Sequence, residues 1–453
     1  MELRDFAYKG VDFVSVSGAV EFEGPRQTFR DLVVQRTEGG AQAREVHVDD
    51  EFKWVRLTGV YSTLDPIAVL TAFSPKTAPI VERYKLPASG TEVGVAGVIS
   101  WRNPDLNDYH VSFRALGGTG VYPLWGKDYL IRRPVGELGF KKHTMSYDVK
   151  GMLHDEPMSA KGTAVLQQGV TDYTVSLQTG VFPYPVFGER LPFREVRAEV
   201  RGKDRAVDFD VKAKVMGGGF AMKGVVDTSR EPSAYRGEIK IDALSFKQFA
   251  QIYSPEYETE GDLTGHFNFT GRMEEWKALK GGGVLIIVNG NLYAIPVLGP
   301  LTPLLGAMLP KPIGGYNVAK EANCTFKVAD GFIVTEDMEA LTSTFRIISK
   351  GAIDFIRDDI DFTAEVRVRG LPGIVFLPVS RLLEYKGEGT VGDPKWKPRL
   401  FGLTGSDKEG DRAAPTKAQL DAAVRDAESG IREKIETGGE KSARPKPTGR
   451  PGR

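Results

Sequence analysis

The chain is 453 residues long and carries 60 basic and 60 acidic side chains, so its formal net charge is zero. That balance leaves no global positive field to collect nucleic acid, and no nucleic-acid partner is expected. One cysteine, Cys324, excludes an intramolecular disulfide framework and a cysteine-based zinc cluster within one chain, and 52 glycines and 27 prolines fall mostly between short alternating apolar runs, as punctuation between strands.

Along the chain, the start Met1-Glu2-Leu3-Arg4-Asp5 has no basic segment followed by an apolar one, so no signal peptide is read there. Leu64 to Leu70 predicts a short helix, with Asp65 as cap and Pro66 at a first helical position; Leu244 to Phe249 predicts another, capped by Ser245. Each is followed by Ser-Pro and then by a Gly-led strand, at Ser89 to Gly97 and Glu260 to Phe267, which amounts to a weak internal repeat. His154-Asp155-Glu156, before Pro157, reads as a hairpin turn rather than a catalytic triplet.

Period-two alternation is the main signal. Val196, Ala198 and Val200 alternate with Arg197, Glu199 and Arg201. Val207, Phe209, Val211, Ala213 and Val215 alternate with Asp208, Asp210, Lys212 and Lys214. Ile360, Phe362, Ala364, Val366 and Val368 alternate with Asp361, Thr363, Glu365 and Arg367. Side chains two apart share a face, so each run predicts a strand with one dry and one charged face. Weaker versions lie at Val111 to Ala115, Val175 to Leu177, Ile239 to Ile241, Phe267 to Phe269 and Phe326 to Val328, where Phe267, Phe269, Phe326 and Val328 join the candidate dry face. No strands alternate with long helical patterns, so antiparallel meanders are favoured over a doubly wound fold.

Val284 to Leu309 is the most apolar stretch, but Pro296, Pro300 and Pro303 interrupt it too often for a spanning helix. Ile295, Leu298, Leu301, Leu304 and Leu305 are expected to form a short turn and helix that closes one groove end or touches a bilayer, with a plain core contact as the equal alternative. Gly217 to Gly219 and Gly281 to Gly283 open no helix and are expected to bend a curved sheet rather than cradle phosphate. Leu420, Val424, Ala427, Ile431 and Ile435 mark a narrow stripe suited to a marginal surface helix, and the basic, proline-rich residues from Glu440 onward are expected to be disordered. Nucleotide-binding, zinc-protease and serine-hydrolase signatures are absent, and the five histidines show no metal-ligand spacing. No catalytic residue, metal or cofactor is assigned, and no enzyme activity is expected.

The fold expected is therefore mainly β: a long, curved, groove-like antiparallel sheet with a few short helices. The regions are 1–118 and 119–270 as β-repeats, 271–403 as a closing β-region and 404–453 as a helical and disordered tail.

From Gly281 to Trp396 the order is a Gly-led strand, Asn289-Gly290-Asn291-Leu292, Ile295-Pro296-Val297-Leu298-Gly299, Phe326-Lys327-Val328, Gly351-Ala352-Ile353-Asp354-Phe355, and Tyr385-Lys386-Gly387-Glu388-Gly389-Thr390-Val391 closing on Pro394-Lys395-Trp396. This order resembles the C-terminal region of AsmA-like bacterial envelope proteins. The resemblance implies a periplasmic protein associated with the inner membrane, its anchor outside this chain, whose sheet holds phospholipid or another acyl lipid on its way between inner and outer membranes. A long sheet with a dry face and too few helices to cover it must either fold on itself or hold apolar ligand. The rivals are a structural or adhesive β-protein and a carbohydrate-active enzyme on a β-scaffold; the five tryptophans are spread too widely to suggest the latter.

Overall fold

The computed structural model describes residues 1–82, 84–87, 89–115, 119–124, 127–166, 170–186, 189–252, 260–291, 319–342, 345–368, 384–390, 393–399, 416–426 and 428. The chain is mainly β and forms two compact units, Met1–Ala213 and Lys214–Arg453, built as open, curled antiparallel sheet.

Unit 1 opens with β1 (Glu2–Tyr8), β2 (Val11–Glu23), β3 (Arg26–Gln35), β4 (Gly40–Asp49) and β5 (Trp54–Ser62), each paired antiparallel to the next. Two short helices, α1 (Pro66–Phe73) and α2 (Ala78–Glu82), precede β6 (Thr91–Ser100) and β7 (Asp108–Ala115). β8 (Thr119–Leu124) pairs with the first part of β9 (Lys127–Lys141), and the second part of β9 returns to β7. The meander resumes through β10 (Thr144–Leu153), β11 (Glu156–Leu166), β12 (Val170–Val186) and β13 (Glu189–Lys203). β14 (Ala206–Val215) contains the division between the units.

Unit 2 continues with β15 (Gly218–Asp227), β16 (Ala234–Ser245), the helix α3 (Phe246–Ala250), β17 (Glu260–Arg272) and β18 (Glu275–Asn291). After it come β19 (Ala319–Ala329), β20 (Phe332–Thr342), β21 (Phe345–Asp354), β22 (Asp359–Val368), β23 (Glu384–Gly389) and β24 (Pro394–Arg399). From β15 to β24 every strand pairs antiparallel with its successor. A last helix, α4, covers residues 417–426.

Both internal helices form where their caps predict. The Asp65 carboxylate accepts from Ile67 N–H at 2.9 Å, and Ser245 Oγ accepts from Gln248 N–H at 3.4 Å. Each helix fills the gap between two strands that pair with each other, β5 with β6 and β16 with β17. Beneath α1, Val11, Phe13 and Ala72 form a small buried cluster, flanked by Phe6, Val16, Val34 and Ala68.

Tight turns fix the register. His154 and Asp155 both have positive φ (50° and 64°), as do Met216 and Gly217 (48° and 77°) and Asp330 and Gly331 (53° and 85°). Two consecutive left-handed residues give the mirror-image turn whose twist matches the strands it joins. The hairpin expected at His154 is therefore present. Gly217 to Gly219 also serve a turn and the start of β15, whereas Gly281 to Gly283 lie inside β18. Mid-strand left-handed residues at Asp31, Arg133, Glu195 and Ala243, all with φ of 49°, mark further kinks; at Ala243 the register of β16 with β17 shifts. An extra residue of this kind bends a strand and increases its twist.

The tail departs from a lone surface helix. Thr416 and Gln419 cap α4 reciprocally: Thr416 N–H donates to the Gln419 side chain at 2.8 Å and Gln419 N–H to Thr416 Oγ1 at 3.4 Å. Leu420 and Ala423 are then buried against Ala329 with Val334 alongside, and Asp421 pairs with Lys327. The narrow stripe suffices because it meets a sheet surface of small residues. Ala427 lies outside the described residues, as do Ile431, Ile435 and everything from 429 onward.

Two hairpins are closed by the same device. Asp49 Oδ1 accepts from the N–H groups of Glu51 and Phe52 (3.1 and 2.9 Å), and Asp354 Oδ1 accepts from those of Ile356 and Arg357 (3.0 and 3.2 Å). The Phe52 N–H bond and then the Arg26 guanidinium hold the Asp49 carboxyl below its ordinary range, against the opposing effect of its burial. A depressed folded pKa stabilises above the unfolded value of about 4 and stops doing so as pH falls through the folded value. Asp49→Ala is therefore expected to lower the melting temperature at pH 7, with the gap to the parent closing below about pH 4. Melting followed by circular dichroism from pH 7 to pH 3 checks it, and a gap independent of pH refutes it.

Candidate functional site: the apolar face of the sheet

Paired residues of an antiparallel ladder project to the same face, so register shows which side chains lie together. In unit 1 one transverse row runs Leu57, Gly97, Tyr109, Phe140, Met145, Ala164, Tyr173 and Gly202, from β5 to β13. The next runs Val60, Val95, Val111, Leu138, Tyr147, Gly162, Val175 and Val200. A third runs Val93, Phe113, Gly136, Val149, Ala160, Leu177 and Ala198. One face of unit 1 is thus apolar from β5 to β13.

The opposite face carries Ser112, Glu137, Asp148, Lys161, Thr163, Ser176 and Glu199. Glu199 accepts from Ser176 Oγ at 2.6 Å, and His110 faces Glu137 at 3.8 Å. Most large side chains of the apolar rows, among them Val111, Leu138, Val149, Val175 and Leu177, are half-buried. They touch their lateral neighbours yet keep surface open, whereas a sandwich core would cover them.

Unit 2 repeats the arrangement. Met222, Ile239, Phe267, Gly283 and Phe326 form one row, and Leu263, Ile287, Ala322, Ala340 and Ile347 another. A third continues from Phe269 and Gly281 through Val328, Ile333 and Ile353 to Ile360. The structure brings several of the candidate dry-face residues together here: Phe267, Phe269, Phe326, Val328, Ile360, Phe362 and Ala364 share one face. Around β22 that face is closed. Phe362 is 2% exposed, Ala364 0% and Tyr385 1%, with Trp396 beside them.

Val196 is buried, and Ala198 and Val200 are half-buried on the apolar face of unit 1. In β14, Val207, Phe209 and Val211 are half-buried and Ala213 and Val215 buried, but Asp208 and Asp210 are half-buried too. Its two faces differ sharply only from Lys212 onward. The side chains of Val366 and Val368, and all of Ile295, Leu298, Leu301, Leu304 and Leu305, lie outside the described residues.

Sequence reasoning missed the aromatic members of the face in unit 1, Tyr109, Phe140, Tyr147 and Tyr173, and the glycines paired with them. The run Met145, Tyr147, Val149 against Ser146, Asp148, Lys150 carries the same alternation and could have revealed one such strand. Tyr109 stacks on Phe140 with ring centroids 4.5 Å apart, and Phe267 lies 5.4 Å from Phe326.

Glycines face several of these rings. A Cβ at Gly202 would meet Tyr173 Cε1 at 2.0 Å, one at Gly387 the Trp396 ring at 2.8 Å, and one at Gly283 Phe326 Cζ at 2.7 Å. These rings occupy the space that a side chain at each glycine would take. Cys324, opposite Leu285 on this face, has its thiol pushed up to about 11, by burial first and by Asp337 second.

Two outcomes follow. Gly202→Ala should cost roughly 1–3 kcal/mol, the usual range for overpacking, and markedly less in a Tyr173→Leu background. Urea denaturation of the four proteins measures it, and an equal cost in both backgrounds refutes ring contact as the cause. The Cys324 thiol should react slowly with iodoacetamide at pH 8, with a rate that keeps rising towards pH 11. A rate that levels off below pH 9 would contradict the shielded site. In comparisons with known proteins the chain matches no family model, no curated protein and no solved structure.

Proposed function

We propose that this protein holds the acyl chains of phospholipid or a related lipid against the apolar face of its sheet, and passes them between the two membranes of a bacterial envelope without covalent chemistry. The observation that carries the proposal is the set of transverse rows in unit 1, apolar from β5 to β13 and only half-buried. Water against such a surface is costly. An acyl chain exposes ~0.8 kcal/mol per methylene, on the order of 12 kcal/mol for sixteen carbons, and an apolar face removes much of that cost. The resemblance of Gly281 to Trp396 to AsmA-like proteins supports a periplasmic setting at the inner membrane. No helix among the described residues is long and apolar enough to cross a membrane.

A second function is favoured by one observation. Phe362, Ala364 and Tyr385 are almost wholly buried, so around β22 the face is closed, as a structural or adhesive β-protein would require throughout. A charge at Phe362 would damage folding under either function, and half-buried positions discriminate better.

Leu177→Asp and Gln178→Asp place the same charge on adjacent residues of β12 that point to opposite faces. For protein purified from cells that export it, Leu177→Asp should reduce the lipid recovered per chain about tenfold, from a desolvation cost above ~1.4 kcal/mol, while Gln178→Asp keeps it. Lipid extraction and mass spectrometry, with circular dichroism to confirm that both variants fold, provide the measurement. Equal lipid in both would sink the groove and favour the structural alternative.

A further inference from the structure

We propose, resting on the lipid-holding function above, that unit 1 docks on a bilayer through one end of its sheet, where Phe22, Phe52, Trp101 and Leu106 enter the interfacial layer. The connections β2 to β3, β4 to β5, β6 to β7 and β9 to β10 all lie at this end. Backbone hydrogen bonds tie their tips to one another. Asp50 N–H donates to the Pro25 carbonyl at 3.0 Å, Trp101 N–H to that of Lys53 at 3.2 Å and Lys142 N–H to that of Asn107 at 2.7 Å. The tips thus form one laced row, along which Phe22 is 67% exposed, Phe52 53%, Trp101 57% and Leu106 46%.

These residues continue the apolar face. Register extends the row of Leu57, Gly97 and Tyr109 back through Val46 and Phe29 to Val20. The row one step nearer the tips, two residues on and so on the same face, runs Phe22, Gln27, Val48, Val55 and Ile99. Val48, Val55 and Ile99 are half-buried, so the dry surface reaches the tips with no charged row across it. An acyl chain moving from a bilayer onto the face here crosses no belt of charge. Charge and shape choose the occupant. The tips 23–26, 49–53, 101–108 and 141–143 hold six acidic and five basic side chains. Arg26 pairs with Asp49 at 3.2 Å and Lys53 with Asp50 at 3.3 Å, and His143 faces Asp105 at 3.4 Å. With almost no net field, the apolar side chains supply the attraction and the charge of the headgroups matters little. Exposed aromatic rings among polar tips suit the depth of the headgroup layer. The four side chains stand on three separate hairpins; a fluid layer admits each where it stands, whereas a folded partner would need a matching socket for each.

The full chain should float with phosphatidylcholine vesicles, equally well when phosphatidylglycerol is mixed in, and with little loss as salt is raised. The Phe52→Glu/Trp101→Glu double variant should bind about tenfold less, whereas Leu130→Glu, at a 54% exposed site towards the opposite end of unit 1, should bind like the parent. Phosphatidylcholine brominated in its acyl chains should quench the tryptophan emission of the parent and, markedly less, that of Trp101→Phe. No binding by the parent, binding confined to anionic vesicles, equal binding by the double variant, loss at Leu130→Glu, or equal quenching in Trp101→Phe overturns the proposal. So does a dimer that the double variant abolishes, since the row of tips would then serve a second copy. A melting temperature several degrees lower in the double variant before any lipid is added also overturns it, because the chain itself would cover the rings. Lipid recovered with the purified protein is measured without vesicles, so docking and the groove can fail separately.

Discussion

Everything in this sheet depends on register. Side chains alternate with period two, so a slip of one residue would carry an entire strand's apolar set to the charged face and its charges to the dry one. The chain holds register by local means. Pairs of left-handed residues close the hairpins at His154-Asp155, Met216-Gly217 and Asp330-Gly331, and buried carboxylates tie down those after Asp49 and Asp354. Most of these devices act within a few residues, which suits a meander in which nearly every strand pairs with its sequence neighbour. Such a fold needs few distant contacts to find its pairing.

A second constraint comes from the rings. Large aromatic side chains on a sheet would ordinarily stand upright and interdigitate with an opposing layer. Here Tyr173 lies over Gly202, Phe326 over Gly283 and Trp396 over Gly387. Rings set over glycine cover part of the sheet's own surface. In unit 1 this leaves an apolar face only partly withdrawn from water, and near β22 it proceeds to near-complete burial. The two conditions are the same chemistry at different degrees of closure, so an open apolar face and a closed one coexist in one chain.

The charged face has a quieter part. Its ion pairs, such as Arg367 with Glu365 at 2.9 Å and Arg346 with Glu339 at 2.5 Å, are exposed and contribute little stability, but they make burial of that face unfavourable. The stripe of Val284, Ile286 and Val288 is an exception to this rule, and α4 on Ala329 and Val334 is another. Both interrupt the charged face of unit 2 at adjacent places.

The sequence by itself determined the strands, their alternation and two helices, because Asp65 and Ser245 act on the N–H groups two or three residues on, and because a strand such as Ile360 to Val368 displays its two faces in its own residue order. It also determined that Phe267, Phe326 and Phe362 belong to dry faces. Tertiary structure alone decided how far each of those faces is covered: Phe362 is closed in and Leu177 half open, although both stand in alternating strands. Cover depends on what the curl of the sheet brings near a side chain, and no local pattern encodes that distance. The glycine-ring contacts were hidden for the same reason, since Gly202 and Tyr173 are cross-strand neighbours 29 positions apart in the chain. So was the docking of α4, whose stripe reads as marginal until Ala329 and Val334, far upstream, supply the flat apolar surface that buries it.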